Sequence, residues 1–271
     1  MASHLSDIGF GVKDKSEFMK FAEKAYENGE RIKTNKGTYI RWGVKSGAEL
    51  WLQLNEQEEV IGMVPAFLGI SSRKVSLINF VVGHEGTLDG SFVAWADPRN
   101  NDPESGDYPF MFEVPNFHAL PQFKFPKITH IQLSAFAYEV TCFDNEEEFN
   151  ESDKAKLKGD DKNSPPIRFA PESFIPSGSF HKEGASPIAE AMFTGRIIKY
   201  ENKVNDFTKN PFVWLSVKTL GGEIDIVAEK ELFNKTPKVG GIITGAYWLS
   251  GRILDSKTNK KSSFISKLFN K

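Results

Sequence analysis

Phe212-Val-Trp-Leu-Ser-Val-Lys-Thr219 followed by Leu220-Gly-Gly-Glu-Ile-Asp-Ile-Val-Ala228 is the stretch that decides the fold. Apolar residues alternate in both runs, the period of a strand with one buried face. Gly221-Gly222 between them marks a tight turn. A third apolar strand, Ile242 to Leu254, follows Gly240-Gly241. Together with Met192 to Tyr200 and a short helix at Glu229 to Phe233, these runs describe a small antiparallel barrel over 191–254. The alternation points Val213, Leu215 and Val217 inward, and Phe212, Trp214, Ser216 and Lys218 outward.

Upstream, residues 1–143 read as an α+β sheet domain, so the fold class is α+β and mostly antiparallel β. Ile8 to Val12 is expected to be a short strand. Asp14-Lys-Ser-Glu17 has the form of a capping box. Phe18, Phe21, Ala22, Ala25 and Tyr26 share one helical face, and Gly29 suits a left-handed helix end. Strands are expected at Thr38 to Val44, Ala48 to Leu54, Val60 to Leu68, Lys74 to Val82, Gly90 to Ala96, Phe110 to Val114 and Ile128 to Phe143. The last two are separated by a proline-punctuated stretch. Residues 144–190 read as a charged linker and an irregular docking segment, from Glu146-Glu-Glu148 through Ser164-Pro-Pro166. Residues 255–271 form a basic tail with Phe264, Ile265, Leu268 and Phe269 at helical spacing. No repeat period is visible.

Composition narrows the function. The 271 residues suit more than one ordinary core. A net charge of -2 gives no footprint for duplex nucleic acid. No apolar run has the length of a membrane helix, and the start of the chain lacks the order of a secretory signal. The single Cys142 excludes an internal disulfide and reads as a buried, inert thiol, which suits the cytoplasm.

The residues that carry chemistry are scattered. His4, His84, His118, His130 and His181 form no pair at metal spacing. The acidic loop Asp97 to Asp107 lacks the glycine and terminal glutamate of a calcium loop. Ser177-Gly-Ser179 is no nucleophile elbow, and no glycine pattern marks a nucleotide site. Neither a metal, a cofactor nor a catalytic residue is expected.

Three resemblances follow from these residues. The order strand, helix, three strands over His4 to Leu68 resembles one module of the vicinal-oxygen-chelate superfamily of metalloenzymes. That likeness would make His4 a ligand, but Ala66-Phe-Leu68 stands where the family has a carboxylate. The 191–254 segment resembles an OB-fold, whose outer face binds single strands by stacking. It makes Phe212, Trp214 and Lys218 the candidate ligand-binding residues. The competing expectation is that the first region or a second subunit covers this face, since Glu223 and Asp225 beside it would repel phosphate. The strings Ala135-Phe-Ala-Tyr-Glu-Val140, Glu172-Ser-Phe-Ile-Pro-Ser-Gly178, Thr219-Leu-Gly-Gly-Glu-Ile-Asp225 and Tyr247-Trp-Leu-Ser-Gly-Arg252 are similar to those of a family of uncharacterised bacterial proteins. The leading expectation is a cytosolic, non-catalytic binding or interaction module, with a protein partner or a second copy as its partner. A chelate-type metalloenzyme and single-stranded nucleic-acid binding are the alternatives.

Overall fold

The computed structural model describes residues 4–157, 167–177 and 188–254. The class is α+β and mostly β. Helix α1 (Lys15–Asn28) begins where the capping pattern places it: Glu17 N–H donates to the Asp14 carboxylate at 2.9 Å, and Lys13 N–H donates to Glu17 Oε2 at 2.9 Å. Its end differs from expectation. Gly29 is extended (φ -85°) because β1 starts at once. Glycine is required there for closeness instead, since a Cβ would stand 2.4 Å from Ile40 Cγ2. The expected strand at Ile8 to Val12 does not form. A 3₁₀ turn over Ser6–Ile8 and coil lie there, and Leu5, Ile8 and Phe10 are buried.

After α1 come β1 (Glu30–Lys33), β2 (Thr38–Gly43), β3 (Ala48–Leu54) and β4 (Val60–Phe67), an antiparallel meander in that order. All seven residues of β3 are buried. One face packs Leu52 and Leu54 against Ala22 and Ala25 of α1. The other buries Trp51 with Tyr39, Ala66 and Leu88. Two covered faces explain why the charged and polar side chains of this strand are buried as well.

The larger sheet follows a plan used twice. β5 (Arg73–Val82), β6 (Gly90–Ala96) and β7 (Pro109–Glu113) form a meander that leads through residues 114–126 into the long β8 (Lys127–Phe143). Next come α2 (Glu146–Glu151), a two-residue ladder of β9 (Lys156–Leu157) with β10 (Ile167–Arg168), and β11 (Ser173–Pro176). Then β12 (Glu190–Val204), β13 (Pro211–Thr219) and β14 (Gly222–Ala228) form a second meander. It leads through a connection of equal length, 229–241, into β15 (Ile242–Leu254). Each connection carries one 3₁₀ turn.

Each long strand pairs antiparallel with the first strand of its own meander and parallel with the last strand of the other. β8 pairs with β5 and β14, and β15 pairs with β12 and β7. β8 and β15 also pair with each other along their length. The pairings therefore close two circuits: β12–β13–β14–β8–β15 and β5–β6–β7–β15–β8. Ser134 and Ser250 face each other at the shared seam, with Asp225 and Glu113 as their respective parallel neighbours. This duplication left no period in the sequence. The sheet also crosses the division drawn at residue 143, because β8 completes the circuit of strands from 191–254.

Candidate functional site

The outer face of β13 has the expected parity. Val213, Leu215 and Val217 lie in the core of the large sheet, while Phe212 and Trp214 belong to a separate cluster on its other face. Both rings are nevertheless buried, under Leu50, Phe67, Ile8 and Phe10 of the N-terminal region. Excluding such a side chain from water contributes on the order of 2–3 kcal/mol. Lys199 and Lys203 lie 5.0 and 5.2 Å from the Trp214 ring. Lys218 is exposed and pairs with Glu172 at 3.2 Å. Phe212, Trp214 and Lys218 thus form no common open platform.

The adjoining carboxylate is what holds this face down. Asp225, fully buried, accepts from Trp214 Nε1 (2.9 Å), Gln132 Nε2 (3.0 Å), Ser71 N–H (2.9 Å) and Ile70 N–H (3.1 Å). Gln132 Oε1 accepts from Arg252 Nε at 3.1 Å, and Arg252 Nη2 donates to Glu49 at 2.8 Å. Glu49 also accepts from Arg41 (2.5 Å) and Trp51 Nε1 (2.9 Å). Burial alone would raise the Glu49 carboxyl, but Arg252 and Arg41 hold it below its ordinary value. Every carboxylate oxygen in this network has a donor, so the network fastens the small sheet to the large one.

His4, the candidate metal ligand, takes a different role. Its Nδ1 lies 2.8 Å from Asp7 Oδ2, and its ring stacks on Trp248 at 5.2 Å. Burial pushes the Asp7 carboxyl up to about 6, against the opposing effect of His4. His84 and His130 are exposed, and His181 lies outside the described residues. Among the described residues, no group of three histidine, cysteine or carboxylate side chains is arranged to hold a metal. The loop Asp97 to Asp107 is tied by an Arg99–Asp107 bridge of 2.6 Å. Cys142 is buried, and burial pushes its thiol up to about 12.

Arg73 is a buried cation with no carboxylate bridge among the described residues. Its Nη2 donates to Tyr108 Oη (2.7 Å) and Leu220 O (3.3 Å). The Phe110 and Phe174 rings lie 5.5 and 5.6 Å from its Cζ. Two π faces and two oxygens thus stand near the guanidinium, while its Nε and Nη1 are buried without a hydrogen-bond partner among the described residues.

An open cleft with an aromatic lining lies elsewhere, about 570 Å³ in volume. The end of β5 supplies Phe80 and Val82, β6 supplies Phe92, and the connection to β8 supplies Phe117, Phe123 and Phe125. Phe80 is 44% exposed and Val82 52%, whereas Phe92 forms a buried floor. The rings pack at tilts, Phe80 to Phe117 at 51° and Phe80 to Phe125 at 42°, which leaves a concave surface. Lys36 and His118 are among the polar residues that line it. Burial and the nearby Lys36 hold His118 below its ordinary value. Lys127 Nζ stands 4.0 Å from the Phe123 ring centroid.

The equivalent place in the other copy of the plan is the groove between β12, β13 and the 229–241 connection. It is smaller, about 250 Å³, and is lined by Tyr200, Asn202, Val213, Lys230, Phe233 and Lys235. Sequence reasoning missed the phenylalanine cleft. Its signal was the alternation Phe123-Lys-Phe-Pro-Lys127, read only as a proline-rich connection.

Comparison with protein-family models, with curated proteins and with solved structures finds no match for this chain. No helix among the described residues is long and apolar enough to cross a membrane.

Proposed function

We propose that the chain is a non-catalytic binding protein whose contact site is the phenylalanine cleft. The observation that carries this reading is the contrast between the two copies of one plan. The fold uses the same three elements twice, and at the second place it does without the cluster of phenylalanines. Half-exposed phenylalanine and valine side chains lose free energy in water. A concave apolar surface with a few polar groups at its edge is the usual form of a ligand site.

In this reading the β12–β13–β14–β8–β15 circuit is an OB-like barrel with one stave supplied from earlier in the chain. It acts as a scaffold, since its outer aromatic face is occupied by the N-terminal sheet. The chelate-type enzyme reading loses support because His4 is engaged by Asp7 and Trp248, and because Ile8 to Val12 makes no strand. A cytoplasmic setting remains part of the proposal, resting on the lone buried Cys142, and a bacterial one rests only on the resemblance of the four quoted strings.

The neutral dye Nile red tests the cleft. Saturable fluorescence enhancement with native protein, lost in Phe80→Ser at an unchanged melting temperature, is the expected result. Enhancement that Phe80→Ser leaves intact would place the apolar site elsewhere.

A further inference from the structure

We infer that the natural occupant of the cleft is an extended peptide segment of a partner protein, with a large apolar side chain flanked by carboxylates. This rests on the reading of the cleft as a binding site and adds the chemistry of its ligand.

Charge is the first argument. Lys36 lines the cleft, and Lys124 and Lys127 bracket Phe125 in sequence. None of the lining residues is a carboxylate. The nearby Asp89 is engaged, accepting from Gln53 Nε2 at 2.8 Å. An apolar ligand with negative charge at its ends matches this rim, and one with positive charge does not. The chain's own end is therefore a poor occupant: Lys257, Lys260, Lys261, Lys267 and Lys271 face only Asp255 in charge.

Backbone is the second. β8 pairs with β5 only as far as Leu77↔Lys127. From Asn79 to Val82, β5 pairs with β6 alone among the described residues. The Phe80 N–H donates to its neighbour's side chain, Asn79 Oδ1, at 2.8 Å. A side chain fills the place that a strand's carbonyl would take. An extended peptide can lie along this flank, gaining main-chain hydrogen bonds while one side chain enters the cleft.

Ring geometry separates this from single-stranded nucleic acid. Base stacking needs open, parallel ring faces. Here Phe80, Phe92, Phe117, Phe123 and Phe125 pack against one another at 42–65°, and Lys127 covers one face of Phe123. The resulting concavity suits a bulky side chain better than a stack of bases.

The test is fluorescence anisotropy with the full chain and a labelled peptide, Asp-Glu-Phe-Asp-Leu-Glu-Asp. A basic counterpart, Lys-Arg-Phe-Lys-Leu-Arg-Lys, and oligothymidylate serve as alternatives. The acidic peptide should bind saturably and more weakly as salt screens the rim. Phe80→Ser should weaken it about tenfold or more, as loss of a central aromatic contact does. Lys124→Glu should weaken it severalfold. Both positions are exposed, and unchanged melts would show that the variants fold. If Nile red binds in a Phe80-dependent way and the acidic peptide does not, the cleft stands and the acidic partner falls. If neither binds, the cleft reading falls as well. Preference for the basic peptide would point to the chain's own end and overturn the inference. Oligothymidylate binding as tightly as the acidic peptide would replace it with nucleic acid.

Discussion

Asp225→Ala should be among the most destabilising single changes in the molecule. It removes a carboxylate that accepts from Trp214 Nε1, Gln132 Nε2 and the amides of Ile70 and Ser71. Ile70 is exposed enough for its amide to turn to water, but Trp214, Gln132 and Ser71 are buried. A buried donor left without an acceptor costs about 1–3 kcal/mol. Three such losses would span about 3–9 kcal/mol, and since Gln132 keeps Ser134 Oγ, 2.7 Å away, the sum belongs in the lower part of that span. We expect about 3–5 kcal/mol, a large part of the ~5–15 kcal/mol that holds a typical protein folded. Trp214→Phe removes one donor and keeps the apolar bulk, so it should cost about 1–2 kcal/mol. In the Asp225→Ala background the same change should cost less, because its hydrogen bond is already gone. Urea melts of the four proteins measure this directly. An Asp225→Ala cost below about 1 kcal/mol, or strict additivity of the two changes, would refute the view that Asp225 holds Trp214 and the chain at Ile70 and Ser71 onto the large sheet.

Asp7 supplies a pH-dependent counterpart. Its folded carboxyl lies near 6, above the ordinary 3.8, so folding favours the protonated form. The stability it contributes is complete below about 4 and is lost as pH rises through 6. Asp7→Asn should therefore flatten the stability profile between those values, as read from denaturant melts across pH; an unchanged slope would remove Asp7 from the account. A fragment of residues 191–254 should fail to fold alone. β14 and β15 would both lose β8, leaving long unpaired edges. A cooperative melt of that fragment would show that β8 is dispensable.

Most strands were legible because their alternation is local. β3, β6, β13 and β14 each show it over a full run, and the parity of β13 followed from it. β1 was not legible: Glu30-Arg-Ile-Lys33 is mostly exposed and has no apolar period. The cover over Phe212 and Trp214 was beyond the reach of periodicity, because alternation separates two faces without saying what lies on each. The same holds for Glu49, Trp51 and Gln53. The parallel pairs β14–β8 and β7–β15 join residues 91 and 137 positions apart, and such pairing leaves no local mark. The repeated plan was hidden for a related reason: the strands match in order and pairing and the connections in length, but the strands differ in length and the side chains differ.

That difference connects the sequence to the cleft. Pro126 stands just before the first residue of β8. Lacking an N–H, it cannot extend a ladder with β5. β5 nevertheless runs on to Val82, so its last residues outreach the strand beside them. In the other copy β12 likewise outruns β15: its pairing ends at Arg196↔Ile242, while the strand continues to Val204. Overreach is thus a property of the shared plan, and each copy places its connection near the overhanging strand. The copies differ in what the connection brings. Residues 229–241 carry lysines, and Lys235 reaches back to Glu148 at 2.5 Å, tying that groove to α2. Residues 114–126 bring Phe117, Phe123 and Phe125, which leave the overhang apolar and open. Both connections pack aromatic side chains on the core, Phe233 in one and Phe117, Phe123 and Phe125 in the other; what sets the second apart is the half-exposed Phe80 and Val82 beside them, the surplus of apolar surface on which the proposed contact site rests.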